Sequence, residues 1–164
     1  MNITYIYSDN VDRVLFDDAN FDDIPQHQLL SMYSKCISSI DPNTISQTNL
    51  QDTFILLAEN LGLCKFLYRC DECWDSVYEF PLVTKDHLVT WTSGCIVYNL
   101  TIDKKDYCEL QVTYLLRVIA DILKEYADKI PNWLLYDLFV EFLMGFGKST
   151  EQDNSETYQY SLAV

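Results

Sequence analysis

Glycine and proline are scarce in this chain, with four of each among 164 residues. So few turn-formers argue against a sandwich or barrel of many short strands and favour long helices. Basic residues are also few: 11 Lys and Arg stand against 25 Asp and Glu, a formal net charge of −14. That balance excludes the nucleic-acid backbone as a natural partner, because binding it needs clustered cations. A basic peptide or protein surface is the better electrostatic complement, and an acidic surface kept for solubility is the plain alternative. Only two histidines, His27 and His87, are present, and neither a Gly-x-Ser-x-Gly elbow nor a phosphate loop occurs. The chain therefore reads as a non-enzyme without cofactor. No apolar run reaches the roughly 20 residues of a membrane-spanning helix, and the first residues lack the basic and apolar regions of a secretory signal. The glycosylation triplets Asn2-Ile-Thr4 and Asn99-Leu-Thr101 then carry no weight, and the six cysteines read as reduced, buried small hydrophobes.

What is there is rich in apolar surface. Hydrophobic residues make up 49 % of the sequence, with twelve Tyr and eight Phe; that is enough for one folded domain with a sizeable core. Residues 1–23 are an acidic lead-in, irregular or with short strands. Leu29, Leu30, Tyr33, Ile37 and Ile40 recur at three and four and predict a helix from Pro25 to about Asp41. Phe54, Leu57 and Leu61 predict a second, broken at Gly62. Phe66, Cys70, Trp74 and Val77 predict a third, ended or kinked by Pro81. Residues 88–102 carry no charge and fit either a β-branched strand or a helix buried all round. Leu115, Val118, Ile119, Ile122 and Tyr126 predict the clearest helix, over about 107–129. A last helix closes at Gly145 and Gly147, and residues 148–164 read as a polar, disordered tail. No internal repeat is evident.

The segment Pro131-Asn-Trp133-Leu-Leu-Tyr136-Asp137-Leu-Phe139-Val-Glu141-Phe142 reads as a helix that stops and starts again, with Asp137 favouring the second N-terminus. Its order, Pro-x-Trp-Leu then aromatic-Asp-x-Phe-Val-Glu-aromatic, resembles the second homology region of the Bcl-2 family of apoptosis regulators. Thr92-Ser93-Gly94-Cys95-Ile96-Val97 fits the frame of that family's first homology region, and an alternative fit starts from Val89-Thr90-Trp91. The departures are plain. Cys95 stands in the position of the family's ligand-pairing arginine, Tyr136 replaces a tryptophan, and no C-terminal anchor follows. The pattern is similar to that of divergent homologues from large DNA viruses such as iridoviruses or poxviruses.

The resemblance implies an all-α bundle of about seven helices over residues 24–147, with 88–102 as its central helix. It also implies a function: inhibition of host-cell apoptosis by holding the amphipathic death-motif helix of pro-apoptotic proteins in a groove. By carry-over, Phe66, Cys70, Trp74, Leu82 and Leu88 would wall that groove, Gly94, Cys95 and Tyr98 would floor it, and Trp91 would also belong to it. Trp133, Tyr136, Asp137, Phe139 and Glu141 would be structural. The alternative is a Bcl-2-like viral protein that blocks innate immune signalling through another surface. Either would work in the host cytoplasm, drawn to the mitochondrial surface by its partners, with a homodimer left open. A metal site is not expected. Cys70-Asp-Glu-Cys73 is a lone CxxC, and Cys64, Cys70, Cys73 and His87 could supply four zinc ligands only at a spacing that matches no standard module.

Overall fold

A computed structural model describes residues 1–151 and 157–164. It is a mixed α/β fold, with four α-helices and ten strands in two antiparallel sheets among the described residues. The expected seven-helix bundle is thereby overturned. The chain divides into two compact units, one made of residues 1–41 and 131–164, the other of 42–130.

The first unit opens with β1 (Asn2–Tyr7), β2 (Asp12–Phe16), the two-residue β3 (Ala19–Asn20) and α1 (Gln26–Ser39). The second runs α2 (Thr48–Leu61), β4 (Lys65–Arg69), β5 (Ser76–Val83), β6 (Leu88–Gly94), β7 (Val97–Ile102), the short β8 (Lys105–Asp106) and α3 (Val112–Glu125). The chain then completes the first unit with α4 (Asn132–Phe146), β9 (Lys148–Glu151) and β10 (Tyr158–Ala163). The sheets are ordered β3-β2-β1-β10-β9 and β8-β7-β6-β5-β4.

The two units share one plan. From β1 to α1 and from β6 to α3 the positions correspond at one constant offset. Ile3 pairs with Phe16 as Val89 pairs with Ile102. The Asp17 amide donates to Asn2 O over 2.7 Å, and the Asp103 amide to Leu88 O over 2.8 Å. Both aspartates lie in the left-handed region, at φ 51° and 53°. The match continues through Phe21 and Tyr107, Leu29 and Leu115, and Ile37 and Leu123, all buried. The helices correspond too: Leu50, Phe54, Leu57 and Ala58 of α2 match Leu135, Phe139, Phe142 and Leu143 of α4, again all buried. Each helix ends on a glycine whose amide bonds the carbonyl four residues back, Gly62 to Ala58 and Gly147 to Leu143. Phe54 meets Tyr107 edge-on at 5.8 Å, as Phe139 meets Phe21 at 6.2 Å. The chain is therefore an internal repeat whose halves are exchanged. The β1–α1 segment builds its core with α4, β9 and β10, and the β6–α3 segment with α2, β4 and β5.

Several expectations fall with the bundle. Phe66, Cys70 and Trp74 do not share a helix face: Phe66 is on β4, and the other two lie in the β4–β5 connection. A spacing of four is even, so it also satisfies the period of two of a strand. Pro81 sits within β5 opposite Thr90. Its carbonyl accepts from the Leu63 amide at 3.0 Å. Residues 88–102 form the β6–β7 hairpin, in which Val89, Trp91, Leu100 and Ile102 point into the core. Their Val and Thr content favours the strand that the family resemblance overrode. The segment after Pro131 is one uninterrupted helix, because Pro131 precedes its first turn, where its missing N–H costs nothing. The expected disordered tail supplies β9 and β10, with residues 152–156 outside the described residues. Among the described residues no helix is long and apolar enough to cross a membrane.

Candidate metal centre

Five of the six cysteines belong to the second unit. In a meander, alternate hairpin turns lie at the same end of the sheet, so the β4–β5 loop and the β6–β7 turn are neighbours across the end of β5. The first carries Cys70 and Cys73, the second Cys95. The Sγ atoms of these three lie within 4.8 Å of one another, with Cys70 and Cys95 at 3.4 Å.

Local backbone geometry builds the site. The Trp74 amide donates to Cys70 O over 2.9 Å and the Cys70 amide to Asp75 O over 2.8 Å. Cys70 to Asp75 is thus a closed turn, with Trp74 at φ 63°. Across from it, Gly94 sits at φ 148°. A Cβ there would stand 2.3 Å from Ser76 O and 2.8 Å from the Val77 Cα, so only glycine lets the hairpin end cross β5 this closely. Cys95 follows at φ 52°. Inside the turn, the Cys73 amide, the Cys73 thiol and the Glu72 amide, then Cys95, all donate toward the Cys70 sulfur and push its pKa down to about 7. Cys95, bonded to Cys73 and Cys70 and in part desolvated, is pushed up to about 12. Cys70 is thus the first of these thiols to ionise, and its sulfur is the hydrogen-bond acceptor of the cluster.

A second cluster lies at the turn between β5 and β6. His87 Nδ1 is 2.9 Å from Asp103 and Nε2 is 2.8 Å from Asp121. The Leu88 amide and the Tyr114 hydroxyl also donate to Asp103. Burial pushes the His87 pKa down, but its hydrogen bonds and charge pairing with the two aspartates outweigh that and raise it. Burial likewise opposes ionisation of Asp103, and the bonds from Tyr114 and His87 hold its pKa below the ordinary value. Both ring nitrogens face aspartate oxygens, so neither is turned to a substrate or a metal.

The residues expected to line a helical groove are dispersed. Leu82 is fully buried, and Trp91 is 6 % exposed with its indole N–H on Glu59. Leu88 and Gly94 end opposite ends of β6. Gly94 is packed over β5 and does not floor a cleft. Phe66, Trp74 and Tyr98 are exposed on β4, a loop and β7, while Cys70 and Cys95 belong to the thiol cluster. On α4, Phe139 is core, and Tyr136 donates to Asp12. Trp133, Tyr136 and Asp137 line a shallow depression of about 320 Å³ with Phe21, Asp22 and Asn132. Glu141 lies on the same helix, outside that depression. Of the cysteine–histidine quartet weighed for zinc, the structure brings together Cys70 and Cys73 alone. Cys95 replaces Cys64 and His87, and the sequence signal that could have shown it is Gly-Cys at the tip of an uncharged, β-branched hairpin. Comparison of the chain with protein-family models, curated proteins and solved structures finds no match.

Proposed function

We propose that this chain is a non-enzymatic protein-binding module whose contact face is the open end of the second sheet. One observation carries the reading. Phe66, Tyr78, Ser93 and Tyr98 stand in register across β4, β5, β6 and β7. Tyr78 and Tyr98 are on the same side of their strands as the buried Leu82 and Leu100, yet Phe66 is 58 % exposed and Tyr98 68 %. The apolar face of the sheet thus continues into solvent. Trp74 and Ile96, at 74 % and 87 % exposure, stand on the turns at the same end. Contiguous exposed aromatics of this kind mark interaction sites more often than they mark a monomer's ordinary surface.

The −14 charge favours a partner whose apolar anchors are flanked by basic residues. The death-motif helix of pro-apoptotic proteins is an amphipathic ligand of this general kind, so apoptosis inhibition is kept as the form of the proposal to test, now on a sheet surface. Such a module would act in the cytoplasm and reach organelle surfaces only through its partners. The test is biolayer interferometry of the full chain against amphipathic peptides with basic flanks, death-motif peptides among them. Binding should be weakened about tenfold or more by Tyr98→Asp or Phe66→Asp. Peptides that bind both variants as tightly as the parent would place the contact face elsewhere.

A further inference from the structure

We propose that Cys70, Cys73 and Cys95 bind one Zn²⁺ ion that ties the β4–β5 loop to the β6–β7 turn. The inference goes beyond the binding-module reading and stands without it. Three sulfurs converge from two separate turns, and each turn is held in an uncommon backbone conformation to bring them there, Trp74 and Cys95 in the left-handed region and Gly94 at φ 148°. Around a tetrahedral zinc with Zn–S near 2.3 Å, sulfurs sit roughly 3.8 Å apart. The present separations, 3.4 Å for one pair and at most 4.8 Å for all three, need only small side-chain rotations to reach that value. The donor set is all thiolate, which selects soft or borderline ions over magnesium and calcium.

A disulfide is the competing use of close cysteines, but it joins two sulfurs and leaves the third without purpose. The corresponding turn of the first unit, Ser8 to Val11, holds no cysteine, so the fold does not require thiols there. Among the described residues no fourth His, Cys, Asp or Glu completes the group. Cys73 is exposed, which leaves the fourth position open to water or an outside donor. The ion would fix the two turns that present Trp74 and Ile96.

The experiment is metal analysis of the full chain, purified under reducing conditions without chelator, with Co²⁺ substitution as a second readout. One zinc per chain and a thiolate-to-cobalt charge-transfer band with tetrahedral ligand-field bands are expected. Cys95→Ser and Cys73→Ser should each lower zinc affinity by more than the roughly 10–100-fold that outer-shell changes alone can cost, while Cys108→Ser leaves it unchanged. Circular dichroism of the variants, matching the parent, separates ligand loss from misfolding. Wild-type protein that retains no more zinc than Cys95→Ser, or that holds copper in its place, overturns the proposal.

Discussion

The two units are one design used twice, and they differ where the design does not need to be kept. Their cores correspond position by position: Phe16 with Ile102, Phe21 with Tyr107, Phe139 with Phe54. Their turns do not. Where the second unit has Gly94-Cys95-Ile96-Val97, the first has Ser8-Asp9-Asn10-Val11, closed by Val11 N to Ser8 O at 3.3 Å. Where the second joins β5 to β6 through Thr84 to His87, the first has β10 beside β1. The Val164 amide there donates to Met1 O as the Thr84 amide donates to His87 O. The cysteine cluster and the histidine clasp both belong to the second unit alone and lie outside the shared core. Features dispensable to a fold yet built with restrictive backbone geometry are better candidates for function than core residues.

The largest effects should come from the shared core. Phe54→Ala and Phe139→Ala remove corresponding, fully buried rings, and each should cost about 3–5 kcal/mol. If the units unfold separately, each variant lowers the denaturation midpoint of its own unit, which hydrogen exchange resolved by peptide would show. Loss of protection spread equally over both units by either variant would break the comparison. Next comes Gly94→Ser, which gives the second unit the residue that the first carries at the matching position. The side chain would enter the space held by Ser76 O and the Val77 Cα, with strain of order 1–3 kcal/mol and a displaced Cys95. Thermal stability near that of the parent would mean that the turn relaxes as freely as Ser8 to Val11 does.

A sharper comparison uses the paired aspartates. Asp17 accepts one backbone bond, from Asn2 N at 2.9 Å. Asp103 accepts the equivalent bond from Leu88 N at 2.8 Å and adds Tyr114 and His87. Asp17→Ala and Asp103→Ala therefore share the loss of a turn bond and the placing of alanine at positive φ. The excess cost at Asp103, about 1–3 kcal/mol, reports the clasp, and equal costs would show that it adds nothing.

The helices were legible where steps of three and four mix, because a strand's period of two does not accommodate the odd steps. Leu30, Tyr33, Ile37 and Ile40 predict α1, and Leu115, Val118, Ile119 and Ile122 predict α3. The strands were hidden for particular reasons. The four-residue spacing of Phe66, Cys70 and Trp74 fits both periods. Thr90 and Thr92 alternate with Val89 and Trp91, but the run is uncharged on both faces and so resembles a buried helix. The repeat keeps only scattered identities, such as Leu29 with Leu115, Phe54 with Phe139 and Gly62 with Gly147. Its trace is Asp17 four residues before Phe21 and Asp103 four before Tyr107, each followed by an apolar helix face. The thiol cluster was half legible as Cys-x-x-Cys. Its third member became visible only once β6 and β7 were known to be a hairpin, because proximity across β5 is a property of the sheet and not of the sequence spacing.

The smallest effect is set by pH and again separates the units. His87 is clasped between Asp103 and Asp121 and its pKa is raised above the ordinary 6.5. A raised folded-state pKa means that the native state binds the proton more tightly than the unfolded chain. The clasp's contribution is therefore complete below about pH 6.5 and fades as pH climbs through the raised native value. The first unit has Met1 at the corresponding position and no such clasp. Urea denaturation of the parent and of His87→Gln, repeated from pH 5.5 to 9, should show the parent's advantage greatest at the acid end and shrinking with rising pH. Hydrogen exchange should confine the change to the second unit, at β6, α3 and the turn holding Asp103. An advantage that grows with pH would mean that His87 is folded as the neutral ring beside two ionised aspartates, its pKa lowered by burial and not raised.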